Sequence, residues 1–222
     1  MEITEEKNKN KAWPTKDVMQ QIYALNFWGE NNTPFYSGEG SHAEQIVAPY
    51  IKVVQSFLNE FKGQLSICDL GCGDFNIGQQ LLPFTKQYTA VDIVPELITY
   101  NKKKFKYSNL TFSLLDIFND LLPVSDCVII RQVLQHLSNS EVKRIVKKLN
   151  QYKYIILTEH IPNGDFVPNI DIISGRGIRL KKNSGINLFE PPFNFKAKYI
   201  KKIVTVNLNG NKGRIVTWLI TL

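Results

Sequence analysis

Two short apolar runs, each closed by an acid, constrain the fold more than any other feature of the sequence. The first run, residues 66–70, contains Asp69 and passes directly into a turn in which Gly71 and Gly73 are separated by one residue. The second run begins at residue 88 and ends at Asp92. This pattern predicts a βαβ unit, in which backbone at the glycines approaches a ligand and the second acid accepts hydrogen bonds from ribose hydroxyls. The expected ligand is a nucleoside-bearing cofactor.

The spacing of the turn argues against a dinucleotide. In the dinucleotide fingerprint, a small residue three positions after the second glycine lets the helix pack closely beneath a pyrophosphate. Asn76 stands at that position. On their own, Gly71 and Gly73 could also be ordinary turn glycines with positive φ. The elements that follow them along the chain favour the ligand-binding interpretation.

The rest of the chain alternates predicted strands and helices before ending in a hairpin. An apolar run over residues 126–130 is typical of a central parallel strand buried on both faces. Ser138 is a candidate N-cap for an amphipathic helix. The Asn-Gly sequence at 209–210 is a strong hairpin signal. The predicted strands are residues 66–70, 88–92, 110–115, 126–130 and 154–159, with hairpin strands over 200–208 and 214–222.

These motifs resemble those of class I S-adenosylmethionine-dependent methyltransferases. Asp69, Gly71 and Gly73 match the family's first motif, which is an apolar strand, an acid and Gly-x-Gly. The family's usual third glycine falls at Phe75, and Gly78 would allow close packing one turn later. The resemblance implies an α/β fold with a seven-stranded, mostly parallel Rossmann-like sheet, helices on both faces and a C-terminal antiparallel β-hairpin.

The resemblance also predicts the domain organisation. Motifs cover roughly residues 65–159, and all 222 residues are expected to form a single methyltransferase domain. Its expected parts are an N-terminal helical lid over 1–62, a cofactor-binding core over 65–160, a substrate-side insertion over 161–198 and the C-terminal hairpin over 199–222.

The implied cofactor is S-adenosylmethionine, bound at the carboxyl ends of the strands. For Asp69 and Asp116 an alternative is that each only caps nearby backbone amides. By motif position, the expected cofactor-binding residues are Asp69, Gly71, Cys72, Gly73, Asp74, Asp92, Ile93, Asp116, Ile117, Arg131 and Gln132.

One histidine is the candidate catalytic residue. The segment around Arg131, Gln132 and His136 looks like that of phosphobase methyltransferases, in which the His assists proton removal; Gln132 replaces their Asp. With an ordinary pKa near ~6.5, His136 could act as a general base, or it could only pack against the element that follows the strand.

Acceptor contacts are expected from the lid and from the long loop over 162–192. The loop is either a substrate flap or a structural insertion covering the sheet. Two of its arginines could bind a carboxylate or phosphate, which would favour an acidic or phosphorylated metabolite. The candidate substrate residues are Tyr36, His42, His160, Arg176 and Arg179.

The targeting signals of the sequence, as far as they can be recognised, predict a cytoplasmic enzyme. The N-terminus lacks the apolar core of a signal peptide, and no apolar run is long enough to cross a membrane. The chain has three cysteines without metal-site spacing, so we expect packed thiols and no metal.

The net charge of +7 raises the question of a nucleic-acid partner. Lysines are spread along the chain, as at 102–104 and 147–148, which favours a solvated surface, and no RNA-binding module is recognisable. A small-molecule O- or N-methyltransferase is therefore the main hypothesis. An RNA- or protein-directed methyltransferase and a non-catalytic S-adenosylmethionine-binding protein, suggested by Phe75, are the alternatives. The acceptor and the oligomeric state are left open.

Overall fold

A seven-stranded sheet lies at the centre of the computed structural model, which describes residues 13–30, 33–210 and 212–222. The strands are β1 (Ser66–Leu70), β2 (Gln87–Asp92), β3 (Leu110–Leu114), β4 (Cys127–Arg131), β5 (Tyr154–Ile161), β6 (Tyr199–Asn207) and β7 (Arg214–Thr221). Their order in the sheet is β3-β2-β1-β4-β5-β7-β6. Strands β1 to β5 are parallel, and β7 is antiparallel to both β5 and β6. This confirms the predicted fold class.

The helices are α1 (Thr15–Ala24), α2 (Glu39–His42), α3 (Glu44–Glu60), α4 (Gly78–Leu81), α5 (Pro95–Lys104) and α6 (Asn139–Val146). Ser138 is the N-cap of α6, as predicted, and forms a capping box with Glu141. Ser41 lies inside α2, and Ala43 is the residue that precedes α3. Residues 1–12 and 31–32 of the predicted lid, and Asn211 of the hairpin turn, fall outside the described residues.

Two apolar cores lie on opposite faces of the sheet, because successive strand residues point to opposite sides. Cys68 and Leu70 of β1 pack in one core with side chains of α1, α6 and the segment between β5 and β6. Ile67 packs in the other core with α3. Strand β5 extends two residues beyond its predicted end, since it pairs with β7 as far as Ile161.

The turn after β1 is built around Phe75 instead of the family's third glycine. Phe75 has a φ of +64° and a fully buried side chain. Its ring makes edge contacts with Tyr88, Phe105 and Phe112, at centroid distances of 5.5, 5.1 and 5.0 Å. A Cβ added at Gly78 would overlap this ring. The glycine at 78 therefore provides the close packing that the sequence suggested.

The segment between β5 and β6 is mostly an ordered cover of the sheet. Ile186 and Leu188 belong to one of the apolar cores. The buried amide of Asn169 donates to the carbonyl oxygens of Asn187 and Pro191, at 2.8 and 2.9 Å. Of the two alternatives for this loop, the structural insertion describes most of it.

Cys68, Cys72 and Cys127 are free and buried. Within the described part of the chain, no cluster of three His, Cys, Asp or Glu side chains is placed to hold a metal ion. None of the helices described here has the length and apolar character needed to span a bilayer.

Candidate active site

A cavity of about 590 Å³ lies between the carboxyl ends of the parallel strands and the N-terminal segment. This is the end of an open α/β sheet at which ligands bind. Backbone of the turn over 71–73 forms one wall of the cavity. Gly71 has a φ of +80°, and a Cβ there would overlap Val133. Only glycine therefore lets the turn pass this close to Val133, two residues beyond β4.

The second predicted acid sits beside that turn. Asp92 lines the cavity, and its two carboxylate oxygens accept hydrogen bonds from the backbone N–H groups of Gly73 and Val94, each at 3.1 Å. Burial raises the pKa of Asp92. Ile93 and Ile117 form an apolar wall next to this carboxylate. The structure thus brings together the glycine turn, Cys72, the acid and two apolar side chains.

Asp74 does not line the cavity, contrary to the expectation that it binds the cofactor. Its carboxylate turns toward the N-terminal segment, where Oδ2 accepts from the N–H of Ser37 at 3.1 Å and lies 2.6 Å from His42 Nε2. His42 is consequently held outside the cavity, while Tyr36 stacks on His42 at a centroid distance of 4.5 Å and lines the cavity. These residues attach the lid to the turn.

Two further acids that were expected to bind the cofactor do not line the cavity. Asp69 is buried and does not line the cavity, and it accepts a hydrogen bond from the Tyr88 hydroxyl at 2.9 Å. Burial raises the pKa of Asp69 to about 7. Asp116 accepts from the backbone N–H of Phe118 at 3.2 Å and of Asn119 at 3.3 Å. Asp116 thus caps backbone amides of its own turn, which was the alternative for it, whereas Asp69 pairs with a side-chain hydroxyl and not with backbone amides.

The end of β4 holds the lid in place. Arg131 lines the cavity, packs its guanidinium 4.8 Å from the centroid of Tyr50, and donates to the carbonyl of Gly40 and to Ser41 Oγ. Gln132, with a φ of +56°, also lines the cavity and donates to the Gly40 carbonyl at 3.4 Å.

His136 forms part of the cavity wall, with its ring centroid 5.4 Å from that of Trp28. Its Nδ1 lies 3.1 Å from the carbonyl oxygen of Gly175, and its Nε2 lies 3.3 Å from Gln135 Nε2. Burial lowers the pKa of His136 to about 4. The position matches the prediction, but the environment opposes the expected role of general base, because such a base works best with a pKa near the operating pH.

Of the candidate substrate residues in the C-terminal half, only Arg176 reaches the cavity, where it lies over the Phe27 ring at 5.5 Å. His160 points away and lies 2.6 Å from the carbonyl oxygen of Lys212. Arg179 is only 1% exposed and does not line the cavity, because its guanidinium binds groups of the protein itself. Its guanidinium donates to the carbonyl oxygens of Leu134, Gln135, Leu137 and Ile170 and to Asn139 Oδ1.

The sequence did not single out Gln135 as a site residue, nor the part played by α1. Gln135 lines the cavity beside His136. Met19 and Tyr23 of α1 also line it, and the Tyr23 hydroxyl lies 3.0 Å from Ser37 Oγ. The only signal for Gln135 was its place between Gln132 and His136 after a buried strand.

Comparison with known families agrees with this site. The profile of a family described as "Methyltransferase domain" matches residues 61–172, just over half of the chain. The chain therefore belongs to this family, and it is a class I S-adenosylmethionine-dependent methyltransferase. No curated protein matches the sequence significantly.

Solved structures share the fold at low identity. The N-methyltransferase NodS from Bradyrhizobium japonicum, in complex with S-adenosylhomocysteine, aligns with a TM-score of 0.67 and 11% identity, over 92% of this chain and 98% of its own. Magnesium protoporphyrin IX methyltransferase from Synechocystis, with bound S-adenosylmethionine, aligns with a TM-score of 0.59 and 17% identity, over 96% of this chain and 100% of its own. Human N-acetylserotonin methyltransferase aligns with a TM-score of 0.58 and 18% identity, over 94% of this chain and 60% of its own.

Proposed function

We propose that this enzyme methylates an oxygen or nitrogen atom of a small molecule held in the cavity. The observation that carries the proposal is the size of the cavity. Its volume of about 590 Å³ lies within the range of small-molecule sites, roughly 300–1,000 Å³, and residues of the lid line it. Among the solved structures with this fold are an N-methyltransferase and a methyltransferase named for magnesium protoporphyrin IX.

The residues present suit S-adenosylmethionine. Asp92 has lone pairs left beyond the two backbone hydrogen bonds it accepts, so it would bind the ribose hydroxyls. Ile93 and Ile117 would pack against the adenine, and the turn over 71–73 would lie along the methionine end. The cofactor supplies an electrophilic methyl group on its sulfonium.

The chain contributes orientation and exclusion of water. Trp28 and Tyr36 of the lid, together with Gln132 and His136, also line the cavity and would position the acceptor. We assign the described part of residues 1–62 as the lid, residues 65–160 as the cofactor-binding core, 199–222 as the closing hairpin, and the stretch of 161–198 around Arg176 as the substrate side of the insertion.

Methyl transfer from labelled S-adenosylmethionine tests this function. The protein would be incubated with a metabolite extract, total RNA or a protein extract, with the Asp92→Ala variant as the control. We expect label in small molecules with the wild type and much less label with Asp92→Ala at a limiting concentration of the cofactor. Label in RNA or protein instead would identify a macromolecular acceptor and contradict the proposal. Binding of the cofactor with no label in any fraction would favour the non-catalytic alternative.

A further inference from the structure

The hydrogen bonds around His136 define which ring nitrogen carries the proton. A carbonyl oxygen can only accept, so the contact of 3.1 Å with Gly175 requires a hydrogen on Nδ1. In a neutral imidazole, Nε2 is then left with a lone pair and acts as an acceptor. That lone pair faces the side chain of Gln135 at 3.3 Å.

The orientation of the Gln135 amide is defined in the same way. The backbone N–H of His160 donates to Gln135 at 2.9 Å, and only the amide oxygen can accept it. The amide NH₂ therefore faces His136 Nε2. A protonated imidazole would place a second donor against this NH₂, and two donors in contact repel each other. The geometry opposes protonation at the only nitrogen that could take a proton.

We propose that Gln135 is a positioning residue that holds His136 as the neutral Nδ1–H imidazole, so that the acceptor must arrive already nucleophilic. Arg179 supports this arrangement, because it donates to the carbonyl oxygens of Leu134, Gln135 and Leu137 and so fixes the turn that carries both side chains. The imidazole then serves as a rigid wall against Trp28 instead of a proton acceptor.

The charged and titratable groups near the pair reinforce a neutral imidazole. Burial lowers the pKa of His136 most, contacts with the backbone of Gly175, Arg176 and Gly177 oppose this, and the charge of Arg179 adds a smaller lowering. Burial raises the pKa of Glu159, whose Oε1 accepts from the N–H of Leu134, to about 8, so this neighbour is protonated at neutral pH. His160 turns its ring toward Lys212, and Arg176 lies over Phe27 at the cavity wall.

This inference rests on the proposed function and narrows its substrate class. The acceptor would be one with a free lone pair at neutral pH, such as a carboxylate oxygen or a weakly basic amine nitrogen. The acceptor lone pair forms the bond to the methyl carbon, the electron pair of the broken carbon–sulfur bond goes to sulfur, and no proton moves to His136.

Nuclear magnetic resonance of ¹⁵N-histidine protein tests the inference without any acceptor. The chain has three histidines, so His42→Gln and His160→Gln assign the signals. Long-range ¹H–¹⁵N spectra should show His136 with Nδ1 protonated and Nε2 bare, unchanged from pH 8 to pH 5. An Nε2–H tautomer, or titration near the ordinary value of ~6.5, would overturn the inference. Because this measurement needs no cofactor, it is independent of the methyl-transfer test.

The Gln135→Glu variant should favour protonation of His136, which the Gln135 amide opposes. A carboxylate of the same shape accepts from both His160 N–H and a protonated Nε2, so the pKa of His136 should rise by about two pH units. Gln132→Glu is the matched control, since its side chain contacts Gly40 instead of His136, and it should leave the His136 titration nearly unchanged. A rise in both variants, or in neither, would contradict a specific role for Gln135. If Gln135→Glu does not fold, the wild-type spectra alone decide.

Discussion

Asp74 Oδ2 and His42 Nε2 lie 2.6 Å apart and join the glycine turn to the lid. The same oxygen accepts from the Ser37 N–H, and the Ser37 hydroxyl accepts from the Asp74 N–H at 2.9 Å. Asp74 therefore connects both ends of the segment over 37–42 to the turn that borders the cavity. The lid position is set by a residue of the core.

Asp74→Ala should loosen the lid. The variant loses the hydrogen bonds to Ser37 and His42, and hydrogen bonds to a charged group contribute ~1.5–3 kcal/mol each. Amide exchange at residues 37–42 should therefore accelerate by roughly tenfold or more, while exchange in β1 and β4 changes little. Asp165→Ala, at an exposed position of the insertion, is the control. Equal exchange in all three proteins would mean that Asp74 does not hold the lid.

Asp92→Ala should weaken binding of S-adenosylmethionine and of its demethylated product by at least about tenfold, because charge-assisted hydrogen bonds to the ribose are lost. Asp116→Ala is the matched control. It removes an acid at the end of the next strand, one that contacts its own turn and not the cavity. Isothermal calorimetry compares the two variants, with circular dichroism to check folding. A larger loss of affinity with Asp116→Ala than with Asp92→Ala would mean that Asp116 is the acid that binds the cofactor.

Gly78→Ala should destabilise the protein although alanine favours a helix. The added methyl group overlaps the buried ring of Phe75, and overpacking of this kind costs ~1–3 kcal/mol. Gly177→Ala meets no atom within 4 Å and should be nearly neutral. Urea unfolding measures both changes. In a double variant, Phe75→Leu should recover part of the stability lost at Gly78, and purely additive losses would exclude this contact.

Stability should fall with rising pH through the titration of Glu159. Burial raises its pKa from an ordinary 4.5 to about 8, so the folded protein binds a proton there that the unfolded chain has lost. This contribution is complete below pH 4.5 and disappears as the pH passes 8. Glu159→Gln should therefore gain stability relative to the wild type between pH 5 and pH 9 in urea unfolding. Glu60→Gln, on the exposed end of α3, is the control variant.

Local patterns were sufficient to predict the sheet. Apolar runs, the Asn-Gly hairpin and the Ser138 capping box act over a few residues, and each predicted strand is present with small changes at its ends. The cavity wall formed by the glycine turn and Asp92 was predictable for the same reason. Gly71, Gly73 and Asp92 are brought together by one βαβ unit, whose geometry is regular.

Pairing across long stretches of chain was not predictable from local pattern. Asp74 belongs to the cofactor motif by position, yet its partner His42 lies 32 residues before it. Arg179 has the chemistry of an anion site, but it is buried against carbonyl oxygens of a turn more than 40 residues earlier. A charged side chain is satisfied by whichever groups the fold brings near it, and sequence spacing does not reveal those groups.

The contact between Phe75 and Gly78 has a consequence for how this family can vary. The side chains of positions 75 and 78 would occupy the same space, so a large residue fits at the first position (75) or at the second (78), but not at both. A relative that carried glycine at the first position would have room for a side chain at the second. The pair should therefore covary among homologues, and evolutionary exchange between the two forms should pass through sequences with small residues at both positions.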